Sequence, residues 1–116
     1  MSKILENLTI LIVEDENETR KLMQDVMQGE FAKIVSAQNG DEGLKKFKKY
    51  NPDIVVTDIA MPISDGLDMA MQIKEISKDT PVVVLSAHSE KEKLLKAIDV
   101  GIDKYVIKPI DMDEFL

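Results

Sequence analysis

Four apolar stretches of this sequence run directly into polar residues. Val55-Val56-Thr57 meets Asp58 before Pro62 stops the chain, and Ile10–Val13 meets Glu14 and Asp15. Val82–Leu85 ends on Ser86, and Tyr105-Val106-Ile107 ends on Lys108, with Pro109 next. A strand apolar enough to be buried gains nothing by ending on a carboxylate, so these endings call for a chemical reason. Three converging carboxylates repel one another unless a cation joins them. Side-chain oxygens, backbone carbonyls and water suit a hard octahedral ion, which makes Mg²⁺ the expected partner. A hydroxyl at Ser86 and an ammonium at Lys108, on the same edge as the acids, are what a phosphoryl group requires. One donates a hydrogen bond to its oxygens and the other offsets its charge.

Each residue also has a plainer reading. Glu14, Asp15, Glu16 and Asn17 can serve as acids and amides at a helix N-terminus, favoured by the dipole, and this suffices for Glu16, Asn17 and Glu18. Asp58 can be a turn residue before a helix, and Lys108 can form a salt bridge with the acids and nothing more. Taken together the plainer readings weaken, because matching positions on four separate runs carry the polar groups.

The elements that must position these residues follow from periodicity. Short apolar runs at Thr9–Val13, Ala32–Ala37, Asp53–Thr57, Pro81–Ser86 and Lys104–Ile107 read as strands. Between them Leu22, Met23, Val26 and Met27 recur at helical spacing, as do Met69, Ala70, Ile73 and Ile76, then Leu94, Leu95 and Ile98. Gly40-Asp41 opens the second helix, and Gly101 sits where a left-handed cap is expected after Val100. Strand–helix alternation implies a parallel sheet covered on both faces. In such a sheet ligands bind beyond the carboxyl ends of the strands, where strand order reverses. If the first strand lies between the second and third, Asp15 and Asp58 face each other across that point.

Composition narrows the function classes. A chain of 116 residues with 44% hydrophobic and 32% charged residues is expected to form one globular domain rather than a disordered segment. The absence of cysteine excludes disulfides, thiol catalysis and thiolate metal sites, and is compatible with a reducing, cytoplasmic setting. No run approaches a membrane span, and the N-terminus lacks a signal-peptide core. A net charge of −7 argues against direct nucleic-acid binding. Lys45, Lys46, Lys48 and Lys49 form the one basic spot and read as a solvated helix face beside Leu44 and Phe47.

With these residues assembled, the sequence resembles the receiver domains of bacterial two-component response regulators. Four segments carry the resemblance, in order: Val13-Glu14-Asp15-Glu16, Thr57-Asp58-Ile59-Ala60-Met61-Pro62-Ile63-Ser64-Asp65-Gly66, Leu85-Ser86-Ala87 and Tyr105-Val106-Ile107-Lys108-Pro109-Ile110. The resemblance implies a flavodoxin-like (βα)5 fold, a doubly wound parallel five-stranded α/β sheet in the order 2-1-3-4-5. It implies that Asp58 accepts a phosphoryl group from a sensor histidine kinase or a phosphotransfer protein. Mg²⁺ would be held by Asp15, Asp58 and the backbone carbonyl of Ala60, with Glu14 acting through water. Ser86 and Lys108 would contact the phosphoryl oxygens.

The implied function is a phosphorylation-dependent signalling switch. It would not be an enzyme acting on outside substrates, although it would assist its own phosphorylation and dephosphorylation. Ser86 would be drawn inward and Tyr105 would turn into the vacated space. The other reading of Tyr105 is a half-exposed ring packed on the last helix. The readout face would comprise the fourth helix, fifth strand and fifth helix, from Ser89 onward, and would serve a downstream effector domain or protein. A phosphorylation-favoured homodimer through this face belongs to the same implication. Within it Leu94, Leu95 and Ile98 are expected in the core, with Lys91, Glu92, Lys96 and Asp99 facing out. Ala60 and His88 occupy the variable positions that help set phosphoryl lifetime in this family. His88, the only histidine, reads as an exposed loop residue rather than a phosphodonor.

Three rival readings fit the residues less well. A haloacid-dehalogenase-like phosphatase also uses a strand-end aspartate with Mg²⁺, but it needs a second aspartate where this chain has Ala60. A flavodoxin-like or dinucleotide-binding protein should offer glycines or hydroxyls in its first loop, where Glu14-Asp15-Glu16 would repel phosphates. A degenerate receiver that only binds partners should have lost Asp58, an acidic partner or Lys108, and all are present. The last segment, Asp111–Leu116, reads as the start of a fifth helix that stops early. On that basis residues 1–116 are expected to be one receiver domain and the front portion of a longer protein, or a trimmed form of one.

Overall fold

The computed structural model describes residues 7–58, 66–86 and 101–107. Ala60, His88, Lys108, the apolar spacing of Leu94, Leu95 and Ile98 with the charged residues among them, and the short last helix all lie outside the described residues. The elements run β1 (Thr9–Val13), α1 (Asn17–Met27), β2 (Lys33–Ala37), α2 (Gly40–Tyr50), β3 (Ile54–Asp58), α3 (Gly66–Ile76), β4 (Val82–Ser86) and β5 (Lys104–Ile107). All neighbouring strands pair in parallel, in the order β2-β1-β3-β4-β5. The expected sheet order is therefore met, with its reversal at β1 and β3.

Helices on both faces explain why β1 alternates nothing. Leu11 and Val13 pack on one face with Val35, Val55, Phe47 of α2 and Ile73 of α3. Ile10 and Ile12 pack on the other with Met23 and Met27 of α1, Phe31 and Val56. All four β1 residues are fully buried, so an unbroken β-branched and leucine run is what the position demands.

Local chemistry sets the element ends. Asn39 caps α2 by accepting the Glu42 N–H at 2.8 Å, with Asp41 and Glu42 in the first turn and Lys48 and Lys49 in the last. Asn51 closes the helix in the left-handed region, φ 48°, and its N–H donates to the Phe47 carbonyl. Gly101 has φ 87°, as expected of a left-handed cap. Four strand ends fall one residue from their expected places. Ala32 and Pro81 lie just before β2 and β4, and β3 begins at Ile54 and includes Asp58. Asp53 is excluded because it acts on its neighbour: its carboxylate accepts the Thr9 N–H at 2.8 Å.

Two apolar residues depart from their helical stripes. Leu22 is 59% exposed and Ile76 53% exposed. The buried stripe of α1 is Met23 and Met27, a pair four residues apart, and Leu22 points one step, about 100°, away from it. Lys46 also departs from the reading of a uniformly solvated face. Its ammonium donates to the Ser36 carbonyl of edge strand β2 at 2.5 Å, while Lys45, Lys48 and Lys49 are exposed. Among the described residues no helix is long and apolar enough to cross a membrane.

A lysine fastens α3 to the amino ends of β4 and β5. Lys74 Nζ donates to the Thr80 carbonyl at 2.8 Å and to Asp103 at 2.7 Å, and the same carboxylate oxygen accepts the Val82 N–H at 2.8 Å. The Lys74 side chain is only 12% exposed, so its removal leaves acceptors without their donor. Lys74→Met is expected to lower stability by about 1–2 kcal/mol. Urea unfolding should show the midpoint falling with an unchanged m-value.

Gly66 begins α3 against the end of β3. A methyl group there would overlap the Asp58 carbonyl oxygen and come within 2.8 Å of Thr57 Oγ1. Backbone cannot yield as a flexible side chain can, so Gly66→Ala is expected to cost about 1–3 kcal/mol and to displace Asp58. Thermal unfolding reads the first effect. Amide chemical shifts at Thr57 and Asp58 read the second.

Candidate functional site

The register builds the site. Val13 is level with both Ala37 and Thr57, so one step further along the sheet Glu14 stands beside Asp58. The Glu14 N–H donates to the Ala37 carbonyl at 3.0 Å, which extends the β1 pairing by one residue. Alternation along the strands places Glu14 and Asp58 on the face shared by Ile10, Ile12 and Val56, the face that α1 covers. Asp58 is level with Leu85, and Ser86 is level with Ile107, so Ser86 lies one residue beyond Asp58 on the neighbouring strand. Ser86 and Tyr105 are described in backbone only, as the last residue of β4 and the second of β5.

Among the described residues one group of carboxylates converges. Glu14, Asp15 and Asp58 each present an oxygen within 4.8 Å of the others. Glu14 is 1% exposed and Asp58 6%, while Asp15, in the loop, is not buried. Carboxylate oxygens as the only donors, two of the groups withdrawn from bulk water, fit a hard divalent cation such as Mg²⁺ and offer nothing to a soft one. The sequence reading placed these three residues together, and the structure brings them together. Ala60 and Lys108 lie outside the described residues.

Several neighbours hold this group in place. The Thr57 hydroxyl donates to the Asp58 carbonyl at 2.9 Å, in a fully buried setting. The Glu14 carboxylate accepts the Glu16 N–H at 3.1 Å, which turns the chain toward α1. Arg20, in the first turns of α1, reaches back to the same loop. One guanidinium nitrogen donates to the Glu14 carbonyl at 2.9 Å and the other to the Asn17 side chain. Sequence reasoning did not single out Thr57, Gly66 or Arg20 for a role. The available signal was that Arg20 is the only arginine in the sequence.

A separate cavity of about 490 Å³ lies between α1 and the start of β2, lined in part by Lys21, Gln28, Phe31 and Ile34. It is at the amino end of the strands. The carboxylates gather at the opposite end, so the cavity has no part in their chemistry.

Comparison with known proteins agrees with this arrangement. The family model described as response regulator receiver domain matches residues 10–116. The chain is 35% identical over 100 residues to the chemotaxis protein CheY of Halobacterium salinarum, covering 86% of this chain and 83% of that one. It is 35% identical over 105 residues to the transcriptional regulatory protein ResD of Bacillus subtilis, covering 90% of this chain but 43% of ResD. Among solved structures, the N-terminal domain of an uncharacterized protein from Wolinella succinogenes superposes with a TM-score of 0.86 at 37% identity, covering 93% and 87% of the two chains. The sheet order, the convergence of Glu14, Asp15 and Asp58, and these matches together establish that the chain belongs to the response regulator receiver domain family.

Proposed function

We propose that Asp58 is the phosphoacceptor of a signalling switch, loaded from a phosphohistidine on a sensor kinase or phosphotransfer protein. The observation that carries this reading is the position of Asp58: a carboxylate at the end of a buried strand, beside two further acids, at the point where the sheet order reverses. A carboxylate oxygen of Asp58 attacks phosphorus, the phosphorus–nitrogen bond breaks, and the electron pair returns to the imidazole, which takes a proton. The product is a mixed anhydride on Asp58.

In this reading Asp15, Asp58 and the Ala60 carbonyl would hold Mg²⁺, with Glu14 acting through water. The bound ion supplies charge neutralisation for the carboxylates and the incoming phosphoryl group. The protein's own contribution is positioning, since the strand fixes Asp58 and the Thr57 hydroxyl fixes its carbonyl. Ser86 and Lys108 contact the phosphoryl oxygens, and Tyr105 follows Ser86 in the switch. The readout face, a phosphorylation-favoured dimer, a downstream effector and a cytoplasmic location belong to the same proposal.

Incubation with acetyl phosphate, followed by intact mass measurement, tests the nucleophile. A Mg²⁺-dependent gain of one phosphoryl group, absent in Asp58→Asn, is the expected result. An equal gain in the variant would assign the phosphoryl group elsewhere and end the reading.

Metal binding has its own signature. Thermal unfolding should move upward with added Mg²⁺, by about 2.7 kcal/mol of stability when the ion is at one hundred times its dissociation constant. Asp58→Asn, which removes one of three mutually repelling charges, is expected to unfold at a higher temperature than wild type without Mg²⁺ and to gain less from the ion. A variant that matched wild type in both conditions would show that Asp58 is no ligand.

A further inference from the structure

We propose that Arg20 is the positioning residue that holds the loop bearing Glu14 and Asp15 in its cation-ready shape before any cation arrives. The inference rests on the reading of Glu14, Asp15 and Asp58 as a metal site, and concerns how the loop-borne third of that site is kept in register.

Glu14 and Asp58 are placed by paired strands, but Asp15 is not. It stands in the two-residue span of Asp15 and the N-cap Glu16, between Glu14, whose N–H is still tied to β2, and Asn17, the first residue of α1. That cap is weak: no side chain of Glu16 bonds to the free amides of the first turn, and its carboxylate instead accepts the Thr19 hydroxyl. The Glu14 carboxylate closes the turn from within by accepting the Glu16 N–H, and Arg20 closes it from α1. Its two terminal nitrogens bridge the residues on either side of the span, the Glu14 carbonyl at 2.9 Å and the Asn17 side chain. Asp15 and Glu16 are thus enclosed in a loop clamped at both ends.

Two further considerations favour a specific role over a chance surface contact. A cation near a helix N-terminus opposes the helix dipole, so Arg20 sits where α1 gains nothing from positive charge. Moreover, the chain uses lysine at all fourteen other basic positions, the fifteen Lys and Arg less this one. Lysine is a point charge on a flexible stem, while the guanidinium is a planar fork that can span two acceptors at once. Bridging a carbonyl and an amide oxygen from one rigid group is the task at which the two residues differ.

The test compares Arg20→Met, Arg20→Lys and Lys21→Met, the last removing the same charge from the exposed neighbouring position. Hydrogen exchange of the Asp15, Glu16 and Asn17 amides is measured without metal, and MgCl₂ binding by titration calorimetry. Arg20→Met should speed exchange at these amides and weaken Mg²⁺ binding about tenfold, the scale on which partners of metal ligands act. Arg20→Lys, which keeps charge and stem, should fail to restore either, and Lys21→Met should leave both near wild type. Unchanged exchange in Arg20→Met would overturn the inference. So would unchanged or tighter Mg²⁺ binding, which would reduce Arg20 to a charge that repels the ion. Should wild type bind no Mg²⁺, the metal reading fails while the exchange measurement still decides whether Arg20 holds the loop.

Discussion

The constraint on which the rest of the structure depends is electrostatic: two nearly buried carboxylates, Glu14 and Asp58, stand with a third within 4.8 Å. At an effective dielectric of about 20, two unit charges at that separation repel by roughly 3.5 kcal/mol. No local preference for helix or strand offsets a term of that size. It is borne by the sheet, whose register puts Glu14 beside Asp58, and by cores on both faces that keep β1 and β3 from sliding apart. A one-residue slip of β1 would move Glu14 to the opposite face and take Ile10 and Ile12 away from Met23 and Met27 with it. Hydrophobic packing thus enforces a charge arrangement that the charges alone would undo.

Acids at the other end of the same sheet show what structural carboxylates look like in this protein. Asp53 accepts the Thr9 N–H and Asp103 accepts the Val82 N–H, each satisfying a backbone donor at the start of a neighbouring strand. Neither belongs to the converging group of acids among the described residues, and Asp103 pairs with Lys74. Each therefore carries part of the fold's hydrogen bonding. The acids at the carboxyl ends differ in being gathered together, with the Glu14 carboxylate also accepting the Glu16 N–H. The two ends of one sheet separate carboxylates that close the fold from carboxylates gathered into one group.

How far this was legible in the sequence depends on the range of the interaction. Thr9–Val13 and Lys104–Ile107 were readable to the residue, because continuous burial leaves an apolar run with polar limits. Acids at strand ends were readable because the topology rule for parallel sheets places them without knowledge of side chains. Leu22 and Ile76 were not readable as exposed, since periodicity reports an apolar stripe about 100° wide and cannot say which margin faces water. Lys46 and Arg20 were hidden for a different reason. Each donates to a backbone carbonyl, of Ser36 and Glu14, and any residue supplies that acceptor, so no pairing of residue types announces it. Thr57 reads as strand, and its hydroxyl bond to Asp58 is likewise to backbone.

The hidden contacts are the ones that separate a sheet of this order from a working site. Register fixes a strand residue to within the reach of its pairing, which suffices for Glu14 and Asp58. It says nothing about Asp15, one residue past the last ladder hydrogen bond of β1. A ligand on an unpaired backbone adds the entropy of ordering that backbone to the cost of binding an ion, about 1–2 kcal/mol per residue. Arg20, Asn17 and the Glu14–Glu16 turn place that cost on folding instead, where the burial of Met23 and Met27 beneath the same helix already anchors one side of the loop. The helix that covers the sheet and the loop that carries the acid are in this way one unit. Preorganisation of the site then follows from packing that the fold requires in any case.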